Sequence, residues 1–221
     1  MSASRTVVAK VDTSTRRRLS AGERRERILA GAMALFAERG YEGASMVEIA
    51  RAAGITPAVV YDHFSSKAEL QIELLERQTT ELLGFVGAAL QDAPEDPARR
   101  MRIGVDAFFR FVEESSFAWR ILFRDPPSDP EVAAAYRRLD RLATAGIAAF
   151  IEAGAGEALA DYEDPARVAE MFAEALKMAQ NGLASWWYEH PDVPRAEIVD
   201  RLLEFCWNGL GRLARPTGAP E

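Results

Sequence analysis

The amino-acid sequence predicts an all-α protein. Apolar residues recur at intervals of three and four along most of the 221 residues, which is the spacing of one helix face. Capping residues and Pro- or Gly-bearing breaks separate these stretches, and no stretch alternates convincingly with the period of two that indicates a β-strand. The hydrophobic fraction of 48% is large enough for a core and too large for a disordered chain.

The first predicted helix begins at Gly22, after a flexible basic arm over residues 1–21, and ends at Gly40, a natural capping glycine. Its apolar face follows the spacing i, i+4, i+7 and i+8 with Ile28, Ala32, Leu35 and Phe36.

Two short helices are predicted next. Ser45 and Glu48 form a capping box for the second helix, and Gly54 ends it. Thr56 is expected to cap the third helix, and Pro57 suits its first position because the missing N–H of proline costs nothing there.

The remaining pattern stays helical to the end of the chain. Ser66 and Glu69 predict a second capping box, at the start of a long helix that reaches about Leu90. Five further helices are predicted at 97–115, 116–124, 130–153, 164–189 and 194–213.

The segment 46–65 has the form of a helix-turn-helix. The small side chain of Ala50 lets the two helices cross closely, and Gly54 allows the positive φ of a tight turn. The apolar side chain of Val60 is expected to pack the second helix against the core. An ordinary helical hairpin can show the same spacing, so the pattern alone leaves both interpretations open.

The net charge of −7 is unevenly distributed. Residues 1–70 hold eleven basic and eight acidic side chains, whereas the remainder holds sixteen basic and twenty-six acidic ones. An acidic chain taken whole argues against nucleic acid, but a basic end on an acidic body is expected of a DNA-binding end on a body that does not bind DNA. A solvated basic tail explains the distribution equally well.

The stretch from Arg25 to Leu70 resembles the DNA-binding domain of the tetracycline-repressor (TetR) family. The resemblance runs without gaps over about a fifth of the chain, and Ala44 stands where the family often has threonine. The matching residues are Ile28, Leu35-Phe36, Gly40-Tyr41, Ile49-Ala50, Gly54-Ile55, Tyr61, His63-Phe64 and Ser66-Lys67.

This resemblance implies a homodimer on double-stranded DNA, whose two recognition helices enter successive major grooves of a palindromic operator. Half-site centres would lie about 34–36 Å apart or modestly more. The implied organisation is a basic arm at 1–21, a three-helix DNA-binding domain at 22–68, a helical ligand-binding and dimerisation domain at 69–215, and a tail at 216–221.

A helical wheel directs Val60 and Phe64 toward the core, so the other side of the third helix faces outward. The residues expected at the DNA are Ser45, Thr56, Pro57, Ala58, Val59, Tyr61, Asp62, His63 and Lys67. Small apolar side chains early in the helix suit thymine methyl groups, and Asp62 can accept from cytosine N4. By the resemblance, the phosphate contacts come from Ser45, Tyr61, His63 and Lys67.

Two points stay open at this interface. His63 could have a purely structural role instead of contacting DNA. The arginines at 16–18 could lie along the DNA backbone, enter the minor groove, or be solvated without contacting DNA. The recognition helix has no arginine, so bidentate guanine readout must come from elsewhere.

The body is rich in aromatic and Met side chains, and the resemblance implies an inducer pocket there. Any one of these residues is explained by core packing, but together they favour an adaptable pocket for a largely apolar small molecule. The residues expected to line it are Phe108, Phe111, Phe117, Trp119, Phe123, Met171, Phe172, Met178 and Trp186. The last two long helices resemble the dimer-forming pair of the family.

Other classes of protein are weakly supported by the sequence. One cysteine and two histidines provide no disulfide and no His/Cys metal cluster, and no phosphate loop or paired nucleophile and base is present, so no cofactor and no enzyme activity is predicted. No long apolar run or leading apolar segment occurs, so the expectation is a cytoplasmic protein without a membrane partner. A regulator controlled by a protein partner and, less favoured, a helical enzyme remain the alternatives.

Overall fold

The computed structural model describes residues 19–123 and 129–208, without the side chains of Ser116 and Glu157. The basic arm before residue 19 and the predicted tail lie outside the described residues. The described ranges contain no strand, which confirms the all-α prediction. Their helices are α1 (Ala21–Arg39), α2 (Met46–Ala53), α3 (Pro57–Tyr61), α4 (Lys67–Gln91), α5 (Pro97–Glu114), α6 (Ser116–Phe123), α7 (Pro130–Leu159), α8 (Pro165–Glu189) and α9 (Arg195–Asn208).

Side-chain caps set most of the N-terminal helix boundaries. The predicted capping box of Ser45 and Glu48 forms at α2, and a further box of Ser20 and Glu23 begins α1. Each serine oxygen accepts from a backbone N–H that the first helical turn leaves unpaired, and each glutamate returns to the cap backbone.

Two predicted caps are wrong in detail. The side chain of Thr56 makes no capping hydrogen bond, so Pro57 alone sets the start of α3. Ser66 caps α4, but the carboxylate of Glu69 accepts from the N–H and hydroxyl of Ser65, at 2.6 and 2.7 Å, rather than from the Ser66 backbone. The second box is therefore shifted by one residue, because Ser65 offers the glutamate two donors at once.

Helix α7 runs past its predicted end at residue 153. The chain stays helical to Leu159 through one distorted residue, Ala155, with φ −129° and ψ 18°. Leu159 is buried beside Ala148, Ala169 and Ala173 of α7 and α8, and this packing offsets the weak helix preference of the nearby glycines.

The hydrophobic core continues from the N-terminal helices into the body. Ile28 and Phe36 of α1 belong to the same buried cluster as Leu74 of α4, Ile121 of α6 and Val132 of α7. A second cluster joins α5 and α6 to the end of α8 and to α9. None of the helices in the described ranges is long and apolar enough to cross a membrane.

Candidate DNA-binding surface and ligand cavity

The turn between α2 and α3 has the geometry that the sequence predicts. Gly54 adopts φ 67° and ψ 34°, the left-handed conformation that side chains disfavour. Ala50 is buried where the two helices cross, and Val60 is fully buried. The pair is a helix-turn-helix, with α3 as its second helix.

The outer side of α3 is exposed to solvent among the residues that the structure describes. Thr56, Pro57, Ala58, Tyr61 and Asp62 are exposed. Val59 and His63 are half-buried at its edges, while Val60 and Phe64 point inward as the helical wheel predicts. Ser45 is exposed before the start of α2, on the other helix of the pair.

Lys67 is held at the rim of this surface. Its Nζ donates to the backbone oxygens of Tyr41 and Ala44, at 2.8 and 3.1 Å, and lies 4.1 Å from the centre of the Tyr41 ring. An ammonium has three N–H donors, so one remains for a phosphate. Tyr41 is one of the residues that match the TetR family, but no local pattern in the sequence indicates its contact with Lys67.

Arg25 of α1 contacts the residues that follow α3. Its Nη1 donates to the backbone oxygen of His63 at 2.9 Å, and its guanidinium carbon lies 4.2 Å from the centre of the Phe64 ring. The same guanidinium pairs with Glu73 of α4. Arg25 was not predicted as a site residue, because this role depends on α4 returning to α1.

The described part of the N-terminal domain carries no formal net charge. Residues 19–68 contain six basic and six acidic side chains. The Ser45 hydrogen bonds hold the pKa of the Glu48 carboxyl below its usual range, so this acid stays ionised beside the predicted phosphate site. Residues 1–18 hold five basic and one acidic residue, so the basic excess of this end of the chain lies there.

A cavity of about 290 Å³ lies in the body between α4, α5, α7 and α8, with the end of α6 closing one side. Its wall is largely apolar. The part contributed by α4 extends from Leu75 to Leu90, which is about 22 Å of helix. Its volume is just below about 300 Å³, where the range for small-molecule sites starts.

Two of the predicted ligand residues, Phe108 and Phe123, line this cavity. The structure places the other seven elsewhere, which corrects the expectation that they share one pocket. Phe111 and Trp119 are buried in the core without reaching the cavity. The remaining five are between 44% and 65% exposed: Phe117, Met171, Phe172, Met178 and Trp186.

The physical reason is that periodicity identifies the apolar faces of a helix but not the partner of each face. Phe172 lines a separate groove of about 450 Å³, with Phe205 and Trp207 of α9. The cavity wall missed by the sequence comes mainly from α4 and α7. It includes Leu82, Val86 and Leu139, together with the polar residues Asp140, Lys177 and Gln180.

Family models match both halves of the chain. The model described as bacterial regulatory proteins, tetR family, matches residues 28–74, and that of the tetracyclin repressor-like C-terminal domain matches residues 97–209. The second match alone spans half of the chain. The protein belongs to the TetR family of transcriptional regulators.

Individual TetR-family proteins are similar over most of the chain. The HTH-type transcriptional activator FasR of Mycolicibacterium smegmatis is 33% identical, over 89% of this chain and 87% of its own. The fatty acid degradation regulator FadR from Bacillus halodurans has the same fold, with a TM-score of 0.73 at 17% identity over 85% of this chain and 96% of its own. FadR from Bacillus subtilis, solved in complex with stearoyl-CoA, has a TM-score of 0.70 at 13% identity over 83% and 98%.

Proposed function

We propose that this regulator is a homodimeric repressor that binds a palindromic operator and is released from it by a largely apolar small molecule. The observation that carries the proposal is the path of α4. This helix begins at Lys67, beside the recognition helix, and lines the cavity from Leu75 to Leu90. A ligand in the cavity therefore touches the helix that supports the DNA-binding surface.

Ion pairs connect the first half of α4 to α1 of the DNA-binding domain. Arg77 pairs with Glu26 of α1 at 2.9 Å, and Arg25 of α1 pairs with Glu73. Ion pairs near the surface contribute little stability individually. The buried cluster that holds Ile28 of α1 with Leu70 and Leu74 of α4 joins the two helices as well. A ligand that displaces the second half would change the spacing of the two recognition helices in a dimer.

The exposed residues of α3 support the proposed contacts with DNA bases. The exposed Pro57 and Ala58 and the half-buried Val59 offer apolar groups for thymine methyls, and the exposed Asp62 offers an acceptor for cytosine N4. Around them, the proposed phosphate contacts come from Ser45, Tyr61, His63 and Lys67, with Thr56 at the leading end of the helix.

The outer face of α8 and α9 supports a homodimer. Large apolar side chains lie in solvent on this face, including Phe172 at 52%, Phe205 at 50% and Trp207 at 57% exposure. A patch of this kind on a single subunit indicates an interface. Ala175 and Gly182 are exposed on α8 and are small enough to let a second subunit approach closely.

The ligand that we propose carries a long acyl chain. The solved FadR relative holds stearoyl-CoA, and the cavity here offers an apolar wall along about 22 Å of α4. Of the nine residues that the sequence predicts to line the pocket, Phe108 and Phe123 would contact the acyl chain of the ligand.

A DNA-binding experiment tests the proposal. Operator DNA is selected from a random pool with the purified full-length protein, and its affinity is measured by fluorescence anisotropy with and without stearoyl-CoA. We expect a palindromic site and at least tenfold weaker binding with stearoyl-CoA, whereas free coenzyme A has no effect. A selected site without two-fold symmetry, or equal affinity with and without stearoyl-CoA, would contradict the proposal.

Activation is the second candidate for the direction of regulation, because the relative FasR is named a transcriptional activator. In vitro transcription from a promoter that contains the selected site separates the two. A repressor lowers the amount of transcript when it binds, and an activator raises it.

A further inference from the structure

One wall of the cavity contains a lysine whose ammonium is fully occupied. Lys177 of α8 is 4% exposed, and its Nζ donates to Asp140 Oδ1, Thr144 Oγ1 and Glu174 Oε2 at 2.7, 2.8 and 2.8 Å. These three bonds use all three donors of the ammonium. Lys177 therefore lines the cavity without a donor left for a ligand.

The charge of this cluster is unfavourable to an anion. Burial alone would lower the pKa of Lys177, but the hydrogen bonds and charges of Asp140 and Glu174 raise it above its usual value. Lys177 therefore stays charged, and it is outnumbered by two carboxylates. Asp140 and Lys177 are the charged residues on the described wall of the cavity. The carboxylate of a ligand bound here would lose its hydration and would have no unpaired cation beside it. Its burial would therefore be unfavourable in free energy.

An uncharged donor lies one turn further along α8. Gln180 lines the cavity and is 8% exposed, and its amide makes no hydrogen bond within the part of the chain that the structure describes. The amide N and O of Gln180 are not among the fully buried unpaired atoms of the described residues, so the amide stays accessible from the cavity. Its N–H groups are therefore available to a ligand that supplies an acceptor.

Tyr136 of α7 and Gln180 of α8 together line one corner of the cavity. Helices α7 and α8 are antiparallel, and the contacts of Lys177 with Asp140 and Thr144 fix their register. Tyr136, one turn before Asp140, is therefore level with Gln180, and both line the cavity. Burial and the neighbouring Asp140 charge raise the pKa of Tyr136, so its hydroxyl remains a neutral donor.

We propose that this corner binds an uncharged carbonyl group, such as an amide, ester or thioester, attached to an apolar chain. Gln180 and Tyr136 donate to the carbonyl oxygen, and Asp140 disfavours the free carboxylate of the same chain. The inference rests on the proposed function, since it assumes that the cavity receives an apolar chain.

Binding to the full-length protein without DNA tests this selectivity. Isothermal titration calorimetry at pH 8 compares decanamide with decanoate, which have the same chain and differ in the charge of the head group. We expect decanamide to bind at least tenfold more tightly. Gln180→Leu should weaken decanamide binding about threefold to tenfold and leave decanoate unchanged. Gln78→Leu is the matched control, because Gln78 is equally buried on α4 but does not line the cavity.

Asp140→Asn tests the repulsion independently of any loss at Gln180. It removes one carboxylate from Lys177, so decanoate should bind at least fivefold more tightly than to the wild type while decanamide changes less than threefold. Decanoate that binds wild-type protein as tightly as decanamide would overturn the inference and leave the proposed function intact. If neither compound binds and stearoyl-CoA also fails to release DNA, the cavity receives no apolar chain, and both fail.

Discussion

The hydroxyl of Tyr41 donates a hydrogen bond to Oδ2 of Asp129 at 3.0 Å, across 88 residues of sequence. Tyr41 lies in the connection between α1 and α2, against the ammonium of Lys67. Asp129 precedes α7, where its other oxygen accepts from the N–H of Glu131 at 3.0 Å and that of Val132 at 3.3 Å. Because α7 lines the cavity further along, this bond joins the DNA-binding domain to a wall of the proposed ligand site.

Removing this bond should weaken the communication between the two sites. Tyr41→Phe keeps the ring beside Lys67 and loses one hydrogen bond, so we expect the free energy of unfolding to fall by about 1 kcal/mol. Operator affinity without ligand should stay within threefold, and the effect of stearoyl-CoA on it should shrink at least threefold. Chemical denaturation and anisotropy measure these changes. Tyr162→Phe, at an exposed tyrosine, is the control, and identical behaviour of the two variants would refute the coupling.

Asp129 should also contribute to acid sensitivity. The backbone hydrogen bond from Val132 lowers the pKa of Asp129 most, and the Tyr41 hydrogen bond adds to this effect. Its folded-state pKa lies below its unfolded-state value, so its stabilisation is present above about pH 4 and is lost as the pH falls through the folded-state pKa. Asp129→Asn can still cap the helix but does not titrate. Thermal unfolding between pH 3 and 7 should therefore show a shallower acid decline for this variant, and an unchanged slope would count against the assignment.

Lys67 should contribute one charge to DNA binding. Lys67→Met keeps most of the stem and removes the ammonium, so operator affinity should fall, and the slope of log K against log salt should decrease in magnitude by about 0.9. Anisotropy titrations at several salt concentrations measure both quantities. Arg138→Met, at an exposed cation that pairs with Glu76 of α4, is the control. A weaker affinity with an unchanged slope would mean that Lys67 only positions the loop at Tyr41 and Ala44.

Filling the cavity should block the ligand without affecting DNA. A Cβ at Gly104 would meet the nearest Leu90 methyl carbons at 3.8 Å, an ordinary contact, so Gly104→Leu places its remaining atoms in the cavity. We expect stearoyl-CoA binding to weaken at least tenfold and operator binding to stay unchanged. Gly84→Leu is the control, because Gly84 is exposed on α4 outside the cavity. Replacing either helical glycine should raise the free energy of unfolding by roughly 0.5–1 kcal/mol. The two variants should therefore differ in ligand binding and not in stability.

A charge on the outer face of α8 should dissociate the dimer. Phe172→Glu places a carboxylate in the proposed interface, and sedimentation velocity should show a monomer at micromolar concentration, because an unpaired charge is costly to bury there. Leu142→Glu, at an equally exposed leucine of α7, should leave the dimer intact. A dimer that persists in Phe172→Glu would move the interface away from this face.

Local signals in the sequence were sufficient for most helix boundaries and for the orientation of α3. Ser45, Gly54 and Pro57 act within a few residues of themselves through capping, a left-handed turn and a fixed φ, so their effects can be read without knowing the fold. The orientation of Val60 and Phe64 follows from helix periodicity in the same way. Where a second local partner competed, as Ser65 did with Ser66 for Glu69, the sequence prediction was shifted by one residue.

Only the tertiary structure decided which apolar faces meet. Met171 and Phe172 have the composition of pocket residues, yet they lie in solvent on α8, whereas the cavity uses α4 and α7. The contacts of Lys177 with Asp140 and of Tyr41 with Asp129 span 37 and 88 residues, and no local spacing encodes them. Caps, turns and periodicity act through neighbours in sequence, so the sequence determined them by itself. The cavity and the route from it to the DNA-binding surface arise from contacts between distant segments, which exist only once the helices have packed.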